Sequence, residues 1–241
     1  MENNLLYICV VFVLAGMVKG VTGMGLPTVA MALLGLVMPP LQAAAILVVP
    51  SLLTNVWQIL ERRGLYELWL RLRPMLLGVC GGTLVGGAFF GGGDGKAVLG
   101  VALVLYALLG LSAWQWQVRA EQEPWLGPLV GVATGVLTAV TGVFVLPAVP
   151  YLQALRLEKD ALVQAMGLSF TVSTLALAVM LTGHGAWEPA SAGMSLLAQL
   201  PALAGLALGT RLRLSLKPQV FRRCFFATLL LLGAHMALAG A

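Results

Sequence analysis

Six stretches of this chain are continuously apolar: 41–60, 74–90, 97–116, 161–182, 190–208 and 225–239, the last able to borrow from Phe221 onward. Each approaches the roughly 20 residues that a membrane-crossing helix needs. The acids Glu2, Glu61, Glu67, Asp94, Glu121, Glu123, Glu158, Asp160 and Glu188 all fall outside these runs. So does every basic residue, and Lys19 alone among them lies within a further apolar segment of another kind.

That segment runs from 5 to 37, longer than one span requires. Its middle reads Gly16-Met17-Val18-Lys19-Gly20-Val21-Thr22-Gly23-Met24-Gly25-Leu26-Pro27. Glycine and proline at this density predict a broken helix. In lipid, a broken backbone survives only where it is buried in protein or lines a wet cavity. A second such segment spans 127–155 and contains Gly131, Thr134, Gly135, Thr138, Thr141, Gly142, Pro147 and Pro150.

Charge fixes the direction of the spans. Arg62, Arg63, Arg71 and Arg73 lie in one loop, Arg156 and Lys159 in another, and Arg211, Arg213, Lys217, Arg222 and Arg223 in a third. The positive-inside rule places all three in the cytoplasm and loops 91–96 and 183–189 outside. Each broken segment must then enter and return on one side, as a re-entrant hairpin. A single crossing by each would put the most basic loop outside.

Composition sharpens this. The chain has 241 residues, 60% hydrophobic and 10% charged, against roughly 45–50% and about 25% in soluble proteins. A soluble fold, a disordered chain, a nucleic-acid binder and a secreted disulfide scaffold are excluded on that ground. The net charge of +5 reads as loops facing anionic lipid. Cys9, Cys80 and Cys224 lack metal-ligand spacing and are expected to be buried small hydrophobes. No basic residue precedes the first apolar stretch, so that stretch is expected to be retained rather than cleaved.

The two halves look alike. Gly16-x-x-x-Gly20 resembles Gly131-x-x-x-Gly135, and Pro27 and Pro147 each end a glycine-rich break. Pro50-Ser51 resembles Leu168-Ser169, and Gly82-x-x-x-Gly86 resembles Gly205-x-x-x-Gly209. The fold expected is an all-α integral membrane protein of two inverted repeats, 1–118 and 127–241, joined by a short linker, 119–126. Each repeat holds one broken re-entrant helical hairpin and three transmembrane helices. An odd number of crossings inverts the second repeat, an architecture that recurs in secondary transporters with a substrate site near the midplane.

The stretches GMVKGVTGMGLPTVAMALLGLVMPPLQAAAILVVPSLLTN, GVLTAVTGVFVLPAVPYLQALRLEKDALVQAMGLSFTVST and GLALGTRLRLSLKPQVFRR together cover most of the chain. They resemble the TauE/SafE sulfite exporter family, also called 4-toluene sulfonate uptake permeases. The sequence departs from many members where Leu26-Pro27 follows the glycine cluster at once. The resemblance implies transport of small sulfur-containing anions such as sulfite or an organosulfonate, in a bacterial inner membrane, with no cofactor. It leaves a homodimer open. Composition and spacing alone give only a transporter-like membrane protein.

The candidate substrate-binding residues are Lys19, Gly20, Thr22, Gly23, Ser51, Asn55, Thr138, Thr141, Gly142, Ser169 and Ser173. A cation inside a membrane segment marks a functional site by default, with snorkelling to an interface as the competing explanation. Glycines at a break let an anion approach backbone N–H groups, and the threonines add hydroxyl donors. Close helix packing is the alternative for glycines, and it is favoured for Gly82, Gly86, Gly205 and Gly209. Ser51, Thr54, Asn55 and Gln58 share one helix face, as do Ser169 and Ser173 on the related helix. Interhelical glue competes with substrate contact for these. Gln164, Thr171 and Thr174 lie on another side of that second helix. Trp57, beside the first stripe, is read either as an interfacial residue or as part of the path. No catalytic constellation is visible: His184 and His235 lack acidic or thiol neighbours at useful spacing, so no enzyme activity is expected. An anion channel or a cation or metal permease are the rival readings. The second would want Asp, Glu, His or Met ligands facing each other within the spans; the acids are missing there and the methionines show no cluster.

Overall fold

The computed structural model describes residues 2–60, 64–90, 95–112, 116–187, 189–213, 215 and 218–239. Of the residues used above, Glu61, Arg62, Arg63, 91–94, Glu188 and Lys217 lie outside these. Among the described residues ten helices follow in order: α1 (Glu2–Thr22), α2 (Leu26–Leu34), α3 (Pro40–Leu60), α4 (Leu65–Phe90), α5 (Lys96–Leu111), α6 (Glu123–Thr141), α7 (Ala148–Ala154), α8 (Lys159–Gly183), α9 (Pro189–Leu212) and α10 (Pro218–Ala239). No strand occurs among the described residues. Seven described helices are long and apolar enough to cross a membrane, and α5 is a shorter apolar one. The protein is therefore an all-helical, multi-pass membrane protein.

Helix boundaries depart from the apolar runs where polar residues find partners. α4 starts at Leu65, well before the apolar run at Pro74, and carries Arg71 inside its first turns. The Arg71 guanidinium grips Glu123 at the start of α6 with two bonds, Nε at 2.8 Å and Nη2 at 2.6 Å. Such a bidentate fork holds the two helix starts together at that end of the bundle.

The broken segments are also more regular than glycine content suggests. α1 continues through Gly16 and Gly20 to Thr22, and α6 through Gly131 and Gly135 to Thr141. These glycines serve close packing. A methyl on Gly20 would overlap the Leu206 carbonyl oxygen of α9, and one on Gly135 the Val79 carbonyl oxygen of α4. Gly205 and Gly209 press on the carbonyls of Val13 and Met17, and Gly82 on that of Val132. With no hydrophobic drive between helices in lipid, such backbone approach supplies the dispersion that holds them. The glycine penalty in a helix interior is about 1 kcal/mol, and packing offsets it.

α1 runs parallel to α9, and α4 parallel to α6, along these glycine seams. α3 packs antiparallel on α8, and α5 on α10. Exchanging the first five helices for the last five turns the α1–α9 pair into α6–α4 and returns α3–α8 and α5–α10 to themselves. α2 folds back along α1, so that Tyr7 near the start of α1 donates its hydroxyl to the Leu33 carbonyl near the end of α2 at 2.6 Å.

The interior is built on Phe12, Met31, Leu34, Leu47, Phe144 and Phe170, all fully buried. The outer surface is apolar as well: Leu6, Leu77, Phe89, Leu231 and Leu238 are exposed, as a lipid solvent requires. The cysteines were expected to be buried and are not. Cys9 and Cys80 are half-buried and Cys224 is exposed, because thiols are apolar enough to face outward. Trp57 is 66% exposed, so it faces away from the α3 stripe and does not line a path.

Candidate functional site

Each long first helix ends in the same device. Gly23 and Gly142 take left-handed φ values of 78° and 69°, which glycine adopts without a Cβ penalty. Their N–H groups close on Lys19 O at 2.7 Å and Thr138 O at 2.8 Å. The preceding threonine hydroxyl donates back to the carbonyl four residues earlier, Thr22 to Val18 and Thr141 to Leu137. The same oxygens accept the N–H of Met24 at 3.2 Å and of Val143 at 3.1 Å. Thr22 and Thr141 are thus helix-end caps, and their oxygens are engaged. By this match Gly16 takes the place of Gly135, one turn away from the Gly16–Gly131 pairing that the sequence suggested.

Lys19 lies one turn before the first cap and is 2% exposed. It does not snorkel. Its ammonium donates to Thr54 Oγ1 at 3.1 Å and to Asn55 Oδ1. Asn55 Nδ2 donates to Ser51 Oγ at 3.1 Å, and Ser51 Oγ meets Thr174 Oγ1 of α8 at 3.2 Å. Thr54 and Thr174 return their own protons to Pro50 O and Phe170 O. One turn further along α3, Gln58 Nε2 donates to the Gly23 carbonyl at 2.6 Å. A polar seam therefore joins α1, α3 and α8 through Lys19, Thr54, Asn55, Ser51, Thr174 and Gln58. Among the described residues no carboxylate lies within ion-pair distance of Lys19, and Arg71–Glu123 is a surface pair at a bundle end. A buried ammonium held only by neutral oxygens has hydrogen bonds and no counter-charge.

The other candidate residues divide. Ser51, Asn55 and Gly23 join Lys19 in the seam. Gly20 faces α9 instead. Thr138 donates to Thr134 O at 2.7 Å, and Gly142 sits against Met31 of α2 and Ala44 of α3. Ser169 and Ser173 are fully buried with no partner for either hydroxyl. The side of α8 that meets α3 is the one carrying Gln164 and Thr174: Gln164 Nε2 donates to Ile59 O at 3.0 Å.

α9 supplies two residues outside the candidate set. Ser195 is fully buried and inserts its hydroxyl into the α3 ladder, accepting from Val49 N–H at 3.0 Å and donating to Ile46 O at 2.8 Å. Gln199, one turn on, is buried with both amide atoms unpartnered. Their i, i+4 spacing inside an apolar run was the available signal, of the same kind as Ser169 and Ser173. Thr28 of α2 is a further buried hydroxyl without a partner.

A protein-family model described as "Sulfite exporter TauE/SafE" matches residues 8–236. Comparison with curated proteins and with solved structures found no match.

Proposed function

The chain belongs to the sulfite exporter TauE/SafE family, and on that premise we propose that it is a secondary transporter of small sulfur-containing anions. Sulfite or a small organosulfonate is the cargo, and export from a bacterial cell across the inner membrane is the direction. The observation that carries this is Lys19: buried, and among the described residues hydrogen-bonded only to Thr54 and Asn55 and lacking a carboxylate partner. An anion supplies the missing charge, and the hydroxyls and amides of the seam bind its oxygens. Ser51, Asn55 and Gly23 form the wall on one side. Thr138, Gly142, Ser169 and Ser173 form the opposing wall at the second break. Thr22 and Thr141 act by shaping the breaks, and Gly20 by seating α1 against α9.

Alternating access follows from the two-repeat reading. The exchange of helix pairs, the shared Thr-Gly caps and the fold-back of α2 on α1 support two inverted repeats, each a broken hairpin with three crossings. The basic loops put the α3–α4, α7–α8 and α9–α10 connections in the cytoplasm. Rocking of one repeat against the other would expose the seam to each side in turn.

The direct test is flux. Purified protein in liposomes should move labelled sulfite down an imposed gradient, with saturation and low turnover. No movement of any sulfur oxyanion would reject the reading, and sulfite current at channel rates would reassign the scaffold to a channel.

A further inference from the structure

Gln58 has an acceptor with nothing to accept from. Its Nε2 donates to the Gly23 carbonyl at 2.6 Å. A carbonyl accepts only from the nitrogen end, so the amide cannot be flipped and Oε1 points elsewhere. That oxygen is buried and unpartnered, on a side chain 8% exposed. It lies one helical turn from Asn55, which holds the Lys19 ammonium. Gln199 of α9, one turn after Ser195, is a second unpartnered carboxamide. Lys19 is the one buried charged side chain among the described residues.

These facts constrain the charge and the shape of the ligand. One ammonium balances one negative charge. A dianion would bring a second charge that no buried cation meets, and unpaired buried charge is strongly disfavoured. An anion made only of acceptors would leave Gln58 Oε1 as empty as it is now. Buried carbonyls without donors are rare and costly, so this oxygen marks where the ligand must donate.

We propose that the site takes a singly charged anion that keeps its own O–H or N–H donor, with the anionic end on Lys19 and the donor on Gln58 Oε1. Hydrogensulfite in its O–H form and hydroxyalkylsulfonates have this chemistry. The sulfite dianion, sulfate and plain alkylsulfonates lack it. The proposal rests on the anion-transport reading above and narrows its substrate class.

The experiment compares three ligands on the purified full chain by calorimetry: ethanesulfonate, 2-hydroxyethanesulfonate and ethane-1,2-disulfonate, with sulfite as reference. The hydroxylated sulfonate should bind about tenfold tighter than ethanesulfonate, the size of one hydrogen bond, and the disulfonate weakest. In Gln58→Met, which keeps the volume and removes the acceptor, the two monosulfonates should bind alike. Equal affinities in the unmodified protein, a preference for the disulfonate, or a preference for the hydroxyl that survives in the variant would each overturn the proposal. Should Gln58→Met fail to fold, the three-ligand comparison on the unmodified protein decides alone. If neither sulfite nor any sulfonate binds, the anion reading itself falls and takes this proposal with it. If they bind without discrimination, only the proposal falls.

Discussion

The Ser195 hydroxyl of α9 donates to the Ile46 carbonyl of α3 at 2.8 Å. Pro50, four residues after Ile46, has no N–H to offer that carbonyl. A side chain from the second half of the molecule thus fills a gap left by a proline in the first. α3 runs as one helix through Pro50, with that carbonyl satisfied from α9.

Removing the hydroxyl should expose that dependence. Ser195→Ala leaves Ile46 O buried and unpaired, at a cost of about 1–3 kcal/mol. Pro50→Ala restores the N–H, so Ser195→Ala should cost less on that background. A double-mutant cycle on thermal unfolding in detergent reads the coupling. Purely additive effects would show that Ser195 acts elsewhere.

Lys19→Met should weaken sulfite binding roughly 10- to 100-fold, the range of one charge-assisted hydrogen bond. Lys19→Arg should keep part of the affinity. The unliganded Lys19→Met protein should be no less stable, because the variant removes a buried charge without a counter-ion. Unchanged sulfite affinity in both variants would take Lys19 out of the site, whatever the stability.

The glycines should sort by what faces them. Gly205→Ala and Gly131→Ala drive a methyl into the Val13 and Met75 carbonyls and should destabilise by about 1–3 kcal/mol or more. Gly81, with nothing within 4 Å of its would-be Cβ, should accept alanine with a gain of up to about 1 kcal/mol from helix propensity. Fluorescence-detected size-exclusion after heating ranks the variants. A tolerant Gly205 would mean that the α1–α9 seam is looser than drawn.

The two caps share a backbone but differ in their surroundings. Gly23→Ala has only Val163 and Gln58 nearby, at 3.9 and 4.0 Å, so it should cost about 1–2 kcal/mol for the left-handed φ. Gly142→Ala must also displace Met31, whose Cε would lie 2.8 Å away, and should cost more. The unfolding midpoints should fall in that order, and the reverse order would contradict the geometry at the second break.

The sequence carried the membrane class, nearly all of the long helices and the two breaks. These depend on the apolar content of successive residues and on glycine and proline, which act locally. It also singled out Lys19, because a cation among apolar neighbours is conspicuous in one dimension. The α3 stripe of Ser51, Thr54, Asn55 and Gln58 was legible from helical periodicity.

Tertiary structure decided the rest. Whether Gly16 and Gly20 break a helix or seat it against a neighbour depends on α9, almost 190 residues away. Which face of α8 meets α3, and so whether Thr174 or Ser173 touches Ser51, depends on the rotation of packed helices, which periodicity leaves free. The role of Ser195 exists only because α9 lies beside Pro50. An apolar pattern specifies which residues leave water; the partner each buried polar atom finds is a property of the assembled bundle.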